Sequence, residues 1–418
     1  MKIAPHILRS SFIQQVGTTT FAQALTLIFS LVTSSITARW LGPEGKGALA
    51  MIIMVPTLFQ LFLGFGLVSA NAFYVGANRI KVYRLTENTV SFSILGALIG
   101  ALIILPILLS DLLNVLLPGI NPGYMALGML ALPLGLLSNN FSAVLLGLRR
   151  ILTLNILTVL RSALSIVTMA VFLIWFKLGL LGAVVATLFV HFVVLCLFVF
   201  FVKREGGRFI PRWNLEIVKP TLSFGLKSYI SNLMQFFTYR LDLFFINYFL
   251  GPAEVGIYSV SVVVAEVLWQ LPNAASFVLL PKSINSSHAE MNRFTPRVFR
   301  VIFIITFLGA IGLALLGRPF IRLVFSDDFV AAYIPLLILL PGVVLLGVAK
   351  ILANDIGGRG YPLYNSITAG VSLVVTILFD LLLIPGMGVE GAALASTFAY
   401  TMTFILSVFI YIYVAKKH

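Results

Sequence analysis

Apolar residues fill this chain in long runs, and polar residues gather in short stretches between them. Roughly 20 helical residues cross a bilayer. By that measure the runs predict twelve spans, at about 12–39, 47–75, 86–110, 122–147, 152–176, 180–202, 222–249, 255–281, 298–317, 330–353, 363–384 and 390–415. They are too long for barrel strands and do not alternate. The expected class is an all-α polytopic membrane protein. The seventh run departs from the pattern, because Lys227, Arg240 and Asp242 lie within it. Ser228, Asn232, Gln235, Tyr239 and Asp242 recur at steps of four and three, which puts them on one polar helix face. Arg240, two residues from Asp242, points elsewhere. A charge in hydrocarbon costs several kcal/mol and normally faces a protein interior or a wet cavity. This helix is therefore expected to wall a polar path through the membrane.

The pattern repeats. Leu41, Gly42, Pro43 and Gly47 recur 209 positions later as Leu250, Gly251, Pro252 and Gly256. The same offset carries Gly179, Gly182, Ala183 and Ala186 onto Gly388, Gly391, Ala392 and Ala395. It also carries Thr19, Gln23, Thr26, Ser30 and Thr33 onto the polar face of the seventh run. The longest hydrophilic stretch, 203–219, holds Gly206, Gly207 and Pro211 and lies between the copies. The expected organisation is an N-terminal six-helix lobe (1–203), a cytoplasmic linker (204–219) and a C-terminal six-helix lobe (220–418). An even number of spans per copy inserts both the same way up, so a pseudo-twofold axis should run along the membrane normal. Two polar faces meeting across that axis would suit alternating access.

Composition narrows the class further. The 418 residues are 60% hydrophobic and 10% charged, and the mean hydropathy is +1.07. A net charge of +14 could suggest nucleic acid. Sorted by loop, however, 20 of the 28 Lys and Arg residues fall on one side and 5 on the other. That asymmetry predicts both termini in the cytoplasm. The first eleven residues show no cleavable-signal pattern, so the first span is expected to be retained. Cys196 stands alone and excludes an internal disulfide. No phosphate-binding loop and no metal-ligand cluster is present, so neither cofactor nor metal is expected.

The stretches Arg39–Gly47, with Gly64 and Gly66 after it, and Arg240–Asp242 with Asn247–Tyr258 carry a family resemblance. The chain resembles the polysaccharide flippases, in the superfamily that also holds MATE multidrug exporters and lipid II flippases. The resemblance covers the whole chain, although lipid II flippases usually have two further spans. It implies a V-shaped, two-lobed fold around a central cavity. It implies translocation of an undecaprenyl-pyrophosphate-linked oligosaccharide to the outer leaflet of a bacterial or archaeal plasma membrane. It also implies polymerase and chain-length proteins of the same pathway as partners.

The candidate site residues follow from charge and depth. Arg161 and Lys227 could receive an anionic headgroup at the inner mouth, since a guanidinium fork binds two phosphate oxygens; the alternative for both is snorkelling to the inner surface. Arg240 could bind phosphate, and Asn232, Gln235, Gln23 and Thr26 could bind sugar hydroxyls. Asp242 could bind a proton, a cation or a substrate hydroxyl and Glu266 could carry a proton, or each could join a structural ion pair, Glu266 with Arg240 or Arg161. His191 reads as a hydrogen-bonded structural group, and Asp355 and Asp380 read as solvated. Gln60, Asn71, Asn139, Asn140 and Asn247 suit either helix–helix bonding or glycan contact. Two rivals stand beside a flippase. A MATE-type exporter of small cations predicts a cavity dominated by carboxylates, whereas the basic groups inside the spans outnumber the acidic ones. An enzyme of the same pathway needs a large extramembrane loop with catalytic groups, which this chain lacks.

Overall fold

The computed structural model describes the backbone of residues 5–417 and the side chains of 17–226, 229–230, 232–276, 279, 282–284 and 286–417. The described residues are helices and short connections, with no strand among them. In chain order the helices are α1 (Pro5–Leu63), α2 (Leu67–Gly76), α3 (Val82–Leu109), α4 (Leu112–Leu116), α5 (Pro122–Gly128), α6 (Ala131–Gly147), α7 (Ile151–Met169) and α8 (Gly179–Arg204). There follow α9 (Leu215–Leu250), α10 (Pro252–Glu266), α11 (Gln270–Asn285), α12 (His288–Val324), α13 (Tyr333–Gly358) and α14 (Pro362–Lys416). Nine stretches among the described residues are long and apolar enough to cross a membrane. Their outward faces are greasy: α12 exposes Ile304, Ile305, Phe307, Leu308, Leu315 and Leu316. So wide an apolar surface needs lipid around it, and the chain is a multi-pass membrane protein.

Two of the long helices are interrupted by a single glycine. Gly42 in α1 has φ 66° and Gly388 in α14 has φ 61°. Both values lie in the left-handed region that side chains resist. The 209-residue repeat is visible here in the backbone, because Gly251 and Gly179, the counterparts of these two, also have positive φ. Ala183, Ala186, Ala392 and Ala395 are fully buried in their respective copies.

The chain forms two compact units. One comprises Met1–Leu41 and Ala48–Ile230, the other Gly42–Gly47 and Ser231–His418. The division thus falls inside α9, not in the 203–219 stretch, and Gly42–Gly47 belongs to the second unit. In the first unit, Val75, Leu85, Phe141, Val144, Val194 and Phe198 share a core. Polar residues tie its helices together. Asn71 donates to Asn140 Oδ1 (2.9 Å) and Thr89 Oγ1 (3.1 Å). Gln60 donates to the Ala131 carbonyl and accepts from Asn139. Of the two roles open to these amides, the helix-bonding one is what the geometry displays.

In the second unit the two Leu-Gly-Pro motifs meet. A Cβ on Gly47 would be driven into the Pro252 carbonyl, and a Cβ on Gly256 into the Pro43 carbonyl. Positions 43 and 252, and 47 and 256, are repeat counterparts, so the contact reads the same from either copy. Lys46, expected in a loop, is instead buried, with its ammonium 5.9 Å from the Phe325 ring centroid. Asp355, expected to be solvated, is also buried: it pairs with Arg359 at 2.8 Å and accepts from Ser283 at 2.7 Å. Arg359, just past the end of α13, donates to Asp355 Oδ2 and also to Asn292 Oδ1. These side chains lie inward because helix packing turns them there, which a hydropathy count near a span end does not register.

Candidate transport site

The second unit concentrates the charged chemistry. Asp242 on α9 is 2% exposed. Tyr258 on α10 donates to its Oδ2 at 2.6 Å, Ser396 on α14 donates to the same oxygen at 3.2 Å, and the Leu243 amide donates to Oδ1 at 2.8 Å. Asp380 on α14 is fully buried and feels the charge of Asp242. Neither of its carboxylate oxygens has a hydrogen-bond partner among the described residues. The sequence reading had Asp380 solvated; α14 turns it inward. Neither carboxylate is in an ion pair among the described residues, and a buried carboxylate without a partner is costly unless it is neutralised.

Arg240 is engaged elsewhere. Its guanidinium pairs with Glu266 of α10 at 3.0 Å. Opposite charges one helix apart are thereby neutralised, which is the structural alternative weighed for both residues. Lys227 lies outside the residues whose side chains are described. Asn232 is exposed.

Beside this network lies a pocket of about 260 Å³, contributed by α9, α13 and α14. Gln235, Thr238 and Tyr239 of α9 line it, together with Asn354, Asn365, Thr368, Ser372, Thr403 and Ser407. Among its described lining residues, Lys350 is the one that carries a charge. That ammonium sits 3.9 Å from the Trp269 ring centroid and donates to Asn273 Oδ1 at 3.3 Å. Lys350 was expected among cytoplasmic loop charges; the structure places it within α13. Trp269 is held in turn by its indole N–H on the Val343 carbonyl (2.9 Å) and by packing on Tyr239 and Tyr400.

The first unit holds Arg161. Its guanidinium lies 3.1 Å from His191 Nε2, and His191 Nδ1 lies 2.8 Å from the Thr187 carbonyl. A carbonyl only accepts, so Nδ1 carries the hydrogen and Nε2 accepts from Arg161. His191 thus props the arginine, the structural role expected of it. Gln23 on α1 is exposed, and the Thr26 hydroxyl is buried with no hydrogen-bond partner among the described residues. Thr19, on the same face, accepts from Asn155 of α7 at 3.0 Å.

Sequence reasoning missed Lys350, Asp380, Tyr258 and Ser396 as members of the site. The repeat held a signal for two of them: 209 positions earlier, Lys350 and Asp380 correspond to Phe141 and Val171. A charge in one copy opposite an apolar residue in the other marks chemistry that the shared fold does not need.

Comparison with known proteins agrees with this architecture. A probable flippase, AglR of Haloferax volcanii, is 27% identical over 223 residues, covering 47% of this chain and 44% of that protein. Among solved structures, the lipid II flippase MurJ in an inward closed conformation aligns with a TM-score of 0.77 at 15% identity, covering 94% of this chain and 87% of that one. An inward-facing MATE family multidrug resistance transporter aligns with a TM-score of 0.69 at 19% identity, covering 94% and 96%. At such identities these two likenesses speak for the fold. The family described as "Polysaccharide biosynthesis protein" matches residues 36–334. With most of its length inside that match, on a fold shared with MurJ and the MATE transporters, the chain belongs to the polysaccharide biosynthesis protein family.

Proposed function

We propose that the protein translocates a polyprenyl-diphosphate-linked oligosaccharide, of the undecaprenyl-pyrophosphate type, from the inner to the outer leaflet by alternating access. The observation that carries this reading is the polar, singly cationic pocket held among membrane helices of a chain from a polysaccharide family. Hydroxyls and amides are the partners that sugars need, and a carboxylate-free lining suits an anionic load. Twelve spans are part of the proposal. The nine membrane-length stretches include α1 and α14, each counted twice if divided at its glycine, and α9 adds one more. Two six-helix lobes, cytoplasmic termini and a non-enzymatic role complete it, as do a polymerase and chain-length proteins as partners.

Direction comes from the buried carboxylates. Asp242 and Asp380 hold a proton or a cation in one state and release it in another, and Arg161 receives the diphosphate. Gln23 in the first unit and Asn232 in the second are both exposed, which leaves each open to a sugar hydroxyl. Proteoliposomes carrying a fluorescent lipid-linked oligosaccharide test the reading. The protein should expose the glycan to an external lectin faster than empty vesicles do. Equal rates would end the proposal.

A second reading, a MATE-like exporter of small organic cations, draws on the paired carboxylates and the MATE fold likeness. It requires proton- or sodium-dependent efflux of a lipophilic cation from cells overproducing the protein.

A further inference from the structure

The pocket in the second unit points to a particular kind of sugar. Among its described lining residues only Lys350 carries a charge; amides and hydroxyls alternate there with Tyr239 and the apolar side chains of Leu346, Ala349, Ala353 and Ala369. An ammonium has three hydrogens to donate. One goes to Asn273, and the face of Trp269 attracts the charge without neutralising it. No described carboxylate forms an ion pair with Lys350, and Glu266, whose charge reaches it, is already engaged by Arg240. The pocket therefore offers one positive charge with no ion-pair partner among the described residues, beside amides and hydroxyls.

That charge count discriminates between anions. A diphosphate carries several charges and calls for clustered guanidinium groups, lysines or backbone amides. A single ammonium matches a single carboxylate. At about 260 Å³ the cavity lies just below the usual size of ligand pockets, which suits a sugar ring or two and not a whole oligosaccharide. Tyr239, Gln235 and Asn354 supply an aromatic surface and side-chain donors of the sort that ring hydroxyls use. Because the Trp269 indole is anchored to Val343, the site is set before a ligand arrives.

We propose that this pocket is a subsite for an acidic sugar residue of the transported glycan, a hexuronate-type ring whose carboxylate pairs with Lys350. The proposal rests on the oligosaccharide reading above and narrows it to glycans that include a carboxylated sugar.

Trp269 supplies the readout, since its ring borders the ammonium. The full-length protein in lipid nanodiscs, with Trp40, Trp175 and Trp213 changed to Phe, is titrated with four probes: a glucuronate–glucose disaccharide, its carboxyl-reduced counterpart, inorganic pyrophosphate and tetraphenylphosphonium. Calorimetry on the unmodified protein repeats each titration, so the result does not depend on the tryptophan substitutions. The acidic disaccharide should bind about tenfold or more tightly than the reduced one, the usual scale for a charged hydrogen bond. Lys350→Gln should bring the two to equal affinity, and Lys350→Arg should keep the preference. Equal binding of the two sugars by the wild type would overturn the acidic subsite alone. So would a preference that survives Lys350→Gln, or tighter binding of pyrophosphate that is lost in Lys350→Gln. Binding of tetraphenylphosphonium with no binding of either sugar would remove the oligosaccharide reading as well.

Discussion

At the scale of single residues, what matters is which charges have partners. Asp355 and Arg359 are 0% and 1% exposed at the side chain and hold each other, so neither can lose its partner cheaply. Removing one member of a buried pair destabilises by about 3–5 kcal/mol. Arg359→Ala should therefore lower the thermal unfolding midpoint in detergent markedly, while Arg322→Ala, whose pair with Asp327 is exposed, should leave it within about 1 kcal/mol of wild type. Asp242 and Asp380 differ in kind, because neither is in an ion pair among the described residues. Asp380→Asn should leave the folded yield near wild type yet cut translocation in proteoliposomes at least about tenfold; full activity would remove this carboxylate from the coupling proposal. Tyr258→Phe deletes the 2.6 Å hydrogen bond to Asp242. It should lower stability by about 1.5–3 kcal/mol, the range for a hydrogen bond to a charged group, read from unfolding midpoints.

Elements are joined here by glycines at close backbone approaches. Gly47 and Gly256 each face a carbonyl of the opposite Leu-Gly-Pro motif, where a methyl group has no room. Overpacking at such a contact costs about 1–3 kcal/mol or more. Gly47→Ala and Gly256→Ala should each reduce the yield of monodisperse protein in size-exclusion chromatography. Gly312→Ala, with open space around the added methyl, should match wild type. How much of this was legible beforehand differs by element. The motif and its repeat are plain in the letters, down to one offset shared by eight Gly, Ala, Leu and Pro positions. Which atoms the glycines must avoid is not in the letters, because Gly47 and Gly256 meet residues of a helix start 205 or more positions away in the chain. Similarly, the helical register of α9 placed Gln235, Tyr239 and Asp242 on one face, but it could not tell that Asp242 would be sealed by Tyr258 and Ser396 while Gln235 opened onto a pocket.

For the whole molecule, the lopsided loop charges make a topological prediction. A fluorescent protein that matures only in the cytoplasm, fused after His418, should fluoresce, and a periplasm-dependent phosphatase fused at the same place should be inactive. The opposite pair of results would invert the proposed direction of transport along with the topology. Burying Lys46, Lys350 and Arg359 does not disturb this expectation much, since the remaining loop cations still fall mainly on one side.

The sequence alone determined that this is a helical membrane protein, that it is a duplicated unit, and that its α9 carries a polar face, because each of these is written in composition or period. Those are properties of a helix on its own or of a segment compared with its copy. Only the tertiary structure decided that Arg240 is matched by Glu266, that Asp380 is buried without a hydrogen-bond partner among the described residues, and that Lys350 lines a pocket with no acid among its described lining residues. Whether a charge is spent on a neighbour or kept for a ligand depends on what other helices bring within a few ångströms, and helical period along one segment carries no record of that.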